Sequence, residues 1–251
     1  KTGDSGEIAV WQTGVKSEAV GVGPLTYSQE IVTFNRVSGE ATGSPTDERS
    51  AGDLEDPSKM EKVKHEGLFF KFPFDVQQTT YPFWDGDLGK SVPIKFIKVE
   101  DLYGTPTYVF EQVIPQTDLG TRDLPGGVFD TEGNVSAKVM YGNTRTLWVE
   151  PNTGVIIKGQ EQVDKSLVSD KGTIAATKGT IGYNEATVEE NASTWGTKGK
   201  LLGFVKGPMM PLFVILGLVL AALGAFLVRK GEPAGAADSD EGYYDNESDV
   251  E

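Results

Sequence analysis

The stretch Met209–Val228, MMPLFVILGLVLAALGAFLV, contains no charged side chain. Because an α-helix rises about 1.5 Å per residue, a helix of this length spans the roughly 30 Å hydrocarbon core of a bilayer. A core helix of a soluble protein normally keeps a polar face, and this stretch has none. The sequence therefore predicts one transmembrane helix, over residues 208–230.

The charges that flank this helix suggest how it is oriented. Arg229 and Lys230 follow the apolar stretch directly, as in a stop-transfer signal, whereas Lys198, Lys200 and Lys206 precede it. The positive-inside count is almost balanced, so the immediate position of Arg229 and Lys230 decides the assignment. We expect the cytoplasmic (inner) membrane, with the main domain extracytoplasmic or periplasmic and the C-terminal tail cytoplasmic.

The tail, residues 231–251, contains eight acidic residues and no basic one. It has no aliphatic periodicity, so we expect it to be disordered and solvated. Within the apolar stretch, Gly217, Ala221 and Gly224 share one helical face on which a second helix could pack closely. This face is a candidate helix-packing site and predicts a possible membrane-protein partner.

Residues 1–185 are predicted to form a mainly β extracytoplasmic domain. Aromatic and β-branched runs alternate with turn residues, as is typical of short strands. The candidate strands are Glu7–Trp11, Leu25–Arg36, Gly67–Phe74, Val92–Val99, Thr107–Ile114, Ser136–Tyr141, Thr146–Glu150, Val155–Gln162 and Thr173–Tyr183. We expect an antiparallel meander or a barrel-like sheet, truncated at its N-terminus, followed by a helical membrane-proximal connector over residues 186–207.

Turn chemistry divides these strands. Pro151-Asn152-Thr153-Gly154 predicts a hairpin turn. The polar stretches Ala41–Lys59 and Pro115–Asn134 are predicted to be long loops. Gly86-Asp87-Leu88-Gly89-Lys90-Ser91 is similar to the end of a phosphate-binding loop, but Trp84 stands where that motif requires glycine, so we interpret it as a hairpin turn.

Composition excludes several classes of function. The net charge of −14 argues against a nucleic-acid partner. The absence of cysteine and the single histidine, His65, exclude thiolate and multi-histidine metal sites, and no G-x-S-x-G sequence supplies a nucleophile. We therefore expect a protein that is not an enzyme and has no catalytic residue, metal or cofactor, and we expect His65 to be structural or exposed.

Aromatic residues concentrate between positions 69 and 84. Aromatic walls bury large areas, so this cluster could line an apolar cavity for a ligand chain. The alternative, favoured for most of these residues, is that they form the core of the sheet. The candidate ligand-binding residues are Phe69, Phe72, Phe74, Tyr81, Phe83 and Trp84.

Three segments resemble a known family. HEGLFFKFPF at 65–74, TYPFWD at 80–85 and TYVFEQVIP at 107–115 are similar to the actinobacterial porin PorA family of membrane proteins, over the chain from about Ile31 to the membrane helix. The resemblance implies an extracytoplasmic domain between two membrane helices. Because a member is linked to lipomannan and lipoarabinomannan maturation, it also implies a role in building envelope lipoglycans. It supplies no catalytic residues.

Together these observations predict a membrane-anchored domain that binds membrane lipid or lipoglycan precursors during cell-envelope assembly. The alternative is an accessory or scaffolding subunit of an envelope membrane-protein complex. A pore-forming subunit is a third possibility, but one helix cannot enclose a pore, so that role requires several copies of the chain.

Overall fold

The computed structural model describes residues 6–19, 23–50 and 59–230. Contacts along the chain divide it into two compact units, Lys1–Gly203 and Phe204–Glu251. The first unit contains the β-sheets and a packed helix, and the second contains the apolar helix.

The N-terminal sheet has four antiparallel strands in the order of the sequence. They are β1 (Ile8–Ala19), β2 (Gly23–Asn35), β3 (Glu48–Ser50) and β4 (Met60–Lys62). The sheet is therefore a long β1–β2 hairpin with two short strands beside it. The prediction of a loop at Ala41–Lys59 is wrong at β3, and residues 51–58 of that stretch lie outside the described residues.

The larger sheet is a six-stranded antiparallel meander in which each strand pairs with the next strand in the sequence. Its strands are β5 (Tyr81–Asp85), β6 (Lys90–Leu102), β7 (Thr105–Pro125), β8 (Asn134–Val149), β9 (Ile156–Ser169) and β10 (Gly172–Gly182). The predicted fold class, a mainly β antiparallel meander followed by an apolar C-terminal helix, is confirmed.

Two predicted turns connect strands of this sheet. Residues 86–89 join β5 to β6, and Pro151-Asn152-Thr153-Gly154 joins β8 to β9. In the second turn, the buried Glu150 carboxylate accepts hydrogen bonds from the backbone N–H groups of Asn152 and Thr153, at 3.2 and 2.7 Å. The turn is therefore fixed by a side chain as well as by its own sequence.

The predicted loop over Pro115–Asn134 is wrong because β7 continues to Pro125. Register shifts between Ile114 and Thr117, and between Asp118 and Thr121, let the strand pass the turn-forming residues without ending. A single turn of 3-10 helix, Gly126–Phe129, then leads into β8. β8 is one long strand where the sequence predicts two shorter ones, because Gly142 and Asn143 stay paired with β9 in unbroken register.

The predicted strand at Gly67–Phe74 is also wrong. Leu68 forms only isolated bridges, to Glu40 and Phe83, and the rest of the segment turns across the face of the six-stranded sheet. Its buried side chains, Leu68 and Phe72, enter the main hydrophobic core beside Phe110. We call this segment, residues 67–74, the plug, because its buried side chains cover one face of the six-stranded sheet. It is rich in aromatic residues, as strands are, but it does not pair as a strand.

Helix α1 (Glu185–Phe204) packs on the six-stranded sheet. Its buried face includes Val188, Ala192, Gly196 and Gly199, and Thr105 donates a hydrogen bond from its hydroxyl to the Ala192 carbonyl at 2.9 Å. A side chain at Gly196 would overlap Thr105, and one at Gly199 would overlap the carboxylate of Glu150. These glycines therefore allow the helix to lie directly against the strands.

The second unit contains helix α2 (Met210–Lys230), which follows a turn of π-helix at Val205–Met209. The described residues contain one helical run, 185–230, with a segment long and apolar enough to cross a membrane, at a mean hydropathy of 2.7. None of that segment is buried. The predicted acidic tail, 231–251, lies outside the described residues, and the division at 185, 207 and 230 stays a prediction.

Candidate ligand groove

A groove of about 320 Å³ opens on the concave face of the six-stranded sheet. Most of its wall is aromatic or aliphatic. The lining residues come from the plug, from β5, β8, β9 and β10, and from the turn and segment beside them: Phe69, Phe83, Trp84, Gly86, Arg145, Leu147, Ile156, Gly159, Glu161, Ile181, Gly182 and Tyr183.

The groove shows that the sheet is strongly curled. β5 and β10 are its two edge strands, yet Phe83 of β5 and Ile181 of β10 line the same cavity. Strand register supplies the remaining neighbours, because Arg145 of β8 lies opposite Glu161 of β9, and Glu161 lies opposite Ile181. The sheet is therefore barrel-like in curvature, with the groove between its two edges.

Arg145 organises the polar floor of the groove. Its Nε donates to Glu161 Oε1 at 2.8 Å, and its Nη2 donates to Asp85 Oδ2 at 3.2 Å. Its Nη1 donates to Gln112 Oε1 at 2.5 Å and to the Trp84 carbonyl at 3.3 Å. One guanidinium thus joins β5, β7, β8 and β9.

The acids around Arg145 have further partners. Asp85 is fully buried and accepts hydrogen bonds from the Tyr141 hydroxyl at 3.0 Å and the Leu88 N–H at 2.9 Å, and Glu161 accepts from Asn143 at 2.8 Å. Burial lowers the pKa of Arg145, but the charges of Glu161 and Asp85 outweigh it and raise that pKa above its usual value. The floor of the groove is therefore permanently charged and internally hydrogen-bonded.

Two further polar groups at the groove, the Trp84 indole and the Tyr183 hydroxyl, lie outside the hydrogen bonds of Arg145. Trp84 is buried, and its indole Nε1 has no hydrogen-bond partner among the described residues. Tyr183 lies beside Glu161, and burial together with that carboxylate raises the pKa of its hydroxyl. The hydroxyl of Tyr183 therefore stays protonated at neutral pH.

A second buried cluster lies behind the groove, between the two sheets. The His65 Nδ1 lies 3.0 Å from Asp47 Oδ2, and its Nε2 lies 3.5 Å from Glu30 Oε1. The ring also contacts Trp84, at 4.8 Å between centroids, and Phe69, at 5.9 Å. His65 is fully buried, so the expectation that it could be exposed is wrong.

The six aromatic residues predicted to bind a ligand occupy three kinds of position. Phe69, Phe83 and Trp84 line the groove. Phe72 and Tyr81 pack in the main core, where the Phe72 ring lies 4.6 Å from that of Phe110. Phe74 is exposed, with the Lys71 ammonium 3.9 Å from its ring.

The half of the groove that β8, β9 and β10 supply was not predicted from the sequence. Arg145, Leu147, Glu161 and Ile181 are more than 60 positions from Phe83 in the sequence, so only strand pairing brings them to it. The one available signal was the turn at Pro151-Asn152-Thr153-Gly154. Extending that hairpin in register places Leu147 opposite Lys158, whereas a register shift between Trp148 and Val149 makes Gly159 its actual partner.

The predicted helix-packing residues Gly217, Ala221 and Gly224 lie exposed on α2, with no atoms within 4 Å of a Cβ built at either glycine. Their role stays a prediction. In residues 6–19, 23–50 and 59–230, no group of three acidic, histidine or cysteine side chains is arranged to hold a metal ion.

Comparison with known proteins gives one family. A family model described as Porin PorA matches residues 2–226. The chain is similar to a protein named Porin PorA from Corynebacterium amycolatum, with 27% identity over 124 residues, covering 39% of this chain and 32% of the relative. It is also similar to a Porin PorA from Corynebacterium resistens, with 22% identity over 229 residues, covering 62% of this chain and 55% of the relative. The chain thus spans about a third and about half of the length of these two relatives.

Proposed function

The chain belongs to the porin PorA family, and we propose that it is a membrane-anchored protein, without enzymatic activity, whose groove binds the apolar part of an envelope lipid or lipoglycan precursor. The observation that carries this proposal is the aromatic and aliphatic groove on the curled six-stranded sheet. Its volume lies at the lower end of the roughly 300–1,000 Å³ of small-molecule sites.

The anchor in this proposal is α2. Its exposed surface is apolar along its length, and Arg229 and Lys230 occupy its last turn. Because basic residues that abut a span favour the cytoplasmic side, we place the tail in the cytoplasm and the β domain outside the cytoplasmic membrane. The exposed faces of the sheets carry charged side chains such as Lys95, Lys98 and Lys178, which suits an aqueous environment.

The chemistry of the groove favours an apolar, uncharged portion of the ligand. The Arg145 guanidinium is already engaged by two carboxylates, those of Asp85 and Glu161. Because these two carboxylates already occupy the guanidinium, it has no free pair of N–H groups with which to bind a phosphate or a carboxylate of the ligand. We therefore place an acyl or isoprenoid chain against Phe83 and Ile181, with a charged head group outside.

Filling the groove tests this function. A Cβ at Gly159 would lie 3.4 Å from Leu147 Cδ2 and 3.5 Å from Tyr183 Cε1, which are ordinary contacts, and Gly159 lines the groove, so Gly159→Leu adds its larger side chain there. The leucine side chain occupies the space of the ligand, and a loss of about 1.4 kcal/mol of binding free energy lowers the affinity tenfold. We therefore expect native mass spectrometry of the membrane-extracted chain to show at least about tenfold less bound lipid beyond the amount that α2 retains.

The matched control is Gly127→Leu, since Gly127 has open space around it and lies outside the groove. This variant should retain lipid as the unmodified chain does, and α2, which attracts lipid by itself, is the same in all three proteins. Equal lipid in all three, or none in any, would overturn the groove as a binding site.

A pore-forming subunit is the second candidate, and the names of the two relatives favour it. α2 offers no polar side chain between Met210 and Val228 to line a water-filled path, so a pore would need several chains packed through Gly217, Ala221 and Gly224. The same face would serve an accessory role with a different membrane partner.

Planar-bilayer recording distinguishes the pore from the groove function. A pore formed by α2 predicts discrete conductance steps that disappear when Gly217 and Gly224 are both replaced by leucine. Val219→Leu with Phe226→Leu, on the opposite face of the helix, is the matched control and should leave the steps intact. Purified chain that never conducts would remove the pore candidate.

A further inference from the structure

The buried His65 cluster connects the two sheets directly behind the groove. Asp47 precedes β3 and Glu30 belongs to β2, so both carboxylates come from the four-stranded sheet. The imidazole touches Trp84 of β5 and Phe69 of the plug, and both of these side chains line the groove. One ring thus separates a pair of acids from the groove wall.

The position of the ring between two carboxyl groups favours a charged imidazole. Asp47 is fully buried, and besides His65 it accepts only one neutral hydrogen bond among the described contacts, from the Thr33 N–H at 2.9 Å. The Glu30 side chain is mostly buried, at 19% exposure. With a neutral ring, two carboxylates would lie on either side of it without a compensating charge, which is strongly unfavourable in a protein interior.

The other charged groups near this cluster have their own partners. Glu66 accepts the Ser91 N–H, Asp85 is bound by Arg145, and Arg49 pairs with Glu61 while donating to the Gly86 carbonyl. Phe69 and Trp84, the remaining neighbours of the ring, do not titrate. Within residues 6–19, 23–50 and 59–230, the cluster is therefore an acid–imidazole–acid unit of His65, Glu30 and Asp47.

We propose that the protonation state of His65 sets the position of the Phe69 and Trp84 wall, so that the groove is closed and ordered with the imidazolium and opens when the proton is lost. The regulation of ligand binding in this inference rests on the proposed function. The movement of the wall does not, and it can be observed in an empty groove.

The direction of the pH dependence follows from linkage. Burial lowers the pKa of His65, but the hydrogen bonds and charges of Glu30 and Asp47 outweigh it, so the pKa is raised above the ordinary 6.5. Because the pKa of His65 is higher when the wall is closed than when it is open, protonation stabilises the closed wall. This stabilisation is complete below about pH 6.5 and is lost as the pH rises through the His65 pKa of the closed state. The groove should therefore release its ligand as the pH increases.

The test uses the full chain in nanodiscs. Because His65 is the only histidine, its ring gives a single NMR titration, and hydrogen exchange of β5 and the plug reports the wall. After correction for intrinsic rates, the opening equilibrium of the wall should rise about tenfold per pH unit between 6.5 and the measured His65 pKa, and be flat outside that window.

Two variants separate this switch from a merely structural histidine. Glu30→Gln removes the more exposed of the two acids, so it should lower the NMR pKa and shift the end of the opening window by the same amount. His65→Gln should abolish the pH dependence in that window. Exchange that is independent of pH there in the unmodified chain, or a window that does not follow the pKa in Glu30→Gln, would overturn the inference.

The same samples distinguish the two proposals. Lipid retained at every pH with no movement of the wall refutes the switch and leaves the groove function standing. A wall that follows His65 in a chain that never retains lipid supports the switch and refutes the groove function.

Discussion

Replacing Arg145 with methionine should lower the free energy of unfolding of the β domain by about 3–5 kcal/mol, the usual cost of leaving a buried charge without its partner. Asp85 is fully buried beside the guanidinium, and Glu161 loses its only cationic partner among the described residues. Methionine keeps a flexible stem of similar length, so the lost packing is small. The result would identify Arg145 as the group that holds the curled sheet together across four strands.

Urea unfolding followed by tryptophan fluorescence measures this effect in the full chain. Trp11, Trp84, Trp148 and Trp195 all lie in the unit Lys1–Gly203, so fluorescence reports on that unit alone. The control is Lys178→Met, which breaks an exposed pair with Asp164 in the same sheet. That change should cost about 0–1 kcal/mol, and a similar cost for the two variants would contradict the role of Arg145.

Phe72→Ala should be as damaging, for a different reason. The ring is fully buried between Tyr81, Phe83 and Phe110, and deletion of a core phenylalanine costs about 3–5 kcal/mol through lost burial and the cavity left behind. Phe74→Ala, two residues away on the surface, should cost less than about 1 kcal/mol.

The same unfolding measurement compares the two phenylalanines. It matters for the groove because both residues belong to the aromatic cluster from which the ligand site was predicted. A large loss at Phe74 with little loss at Phe72 would mean that the plug does not pack as described. The expected pattern instead assigns Phe72 to the core, so only Phe69, Phe83 and Trp84 remain as groove residues.

Much of the fold was visible in the sequence. The family resemblance, the mainly β class and the apolar helix are confirmed, as is the hairpin turn at Pro151-Asn152-Thr153-Gly154. Local sequence was sufficient to predict these features, because a tight turn and an apolar helix are each determined by residues that are neighbours in the sequence. It failed at Pro115 and Gly120, where bulges let β7 continue, and at residues 67–74, where tertiary packing overrides strand composition.

Only the aromatic wall of the groove could be predicted from the sequence. An aromatic cluster identifies residues that favour burial, but the same preference serves a core and a ligand wall. Phe72 and Phe83 both belong to the main core, and only Phe83 also lines the groove. The opposite wall depends on the register of β8, β9 and β10. The acids that bind His65 lie 35 and 18 positions before it in the sequence, so no local pattern could have joined Glu30 and Asp47 to it.

The bridge at Leu68 has a consequence for association between molecules. Its N–H donates to the Pro82 carbonyl at 2.8 Å, and its carbonyl accepts the Trp84 N–H at 2.7 Å, so the outer edge of β5 is already occupied. A neighbouring molecule could not add a strand there. Among the described strands of this sheet, fibrillar growth would have to start at β10, where the charge of Lys178 opposes the approach of a second copy.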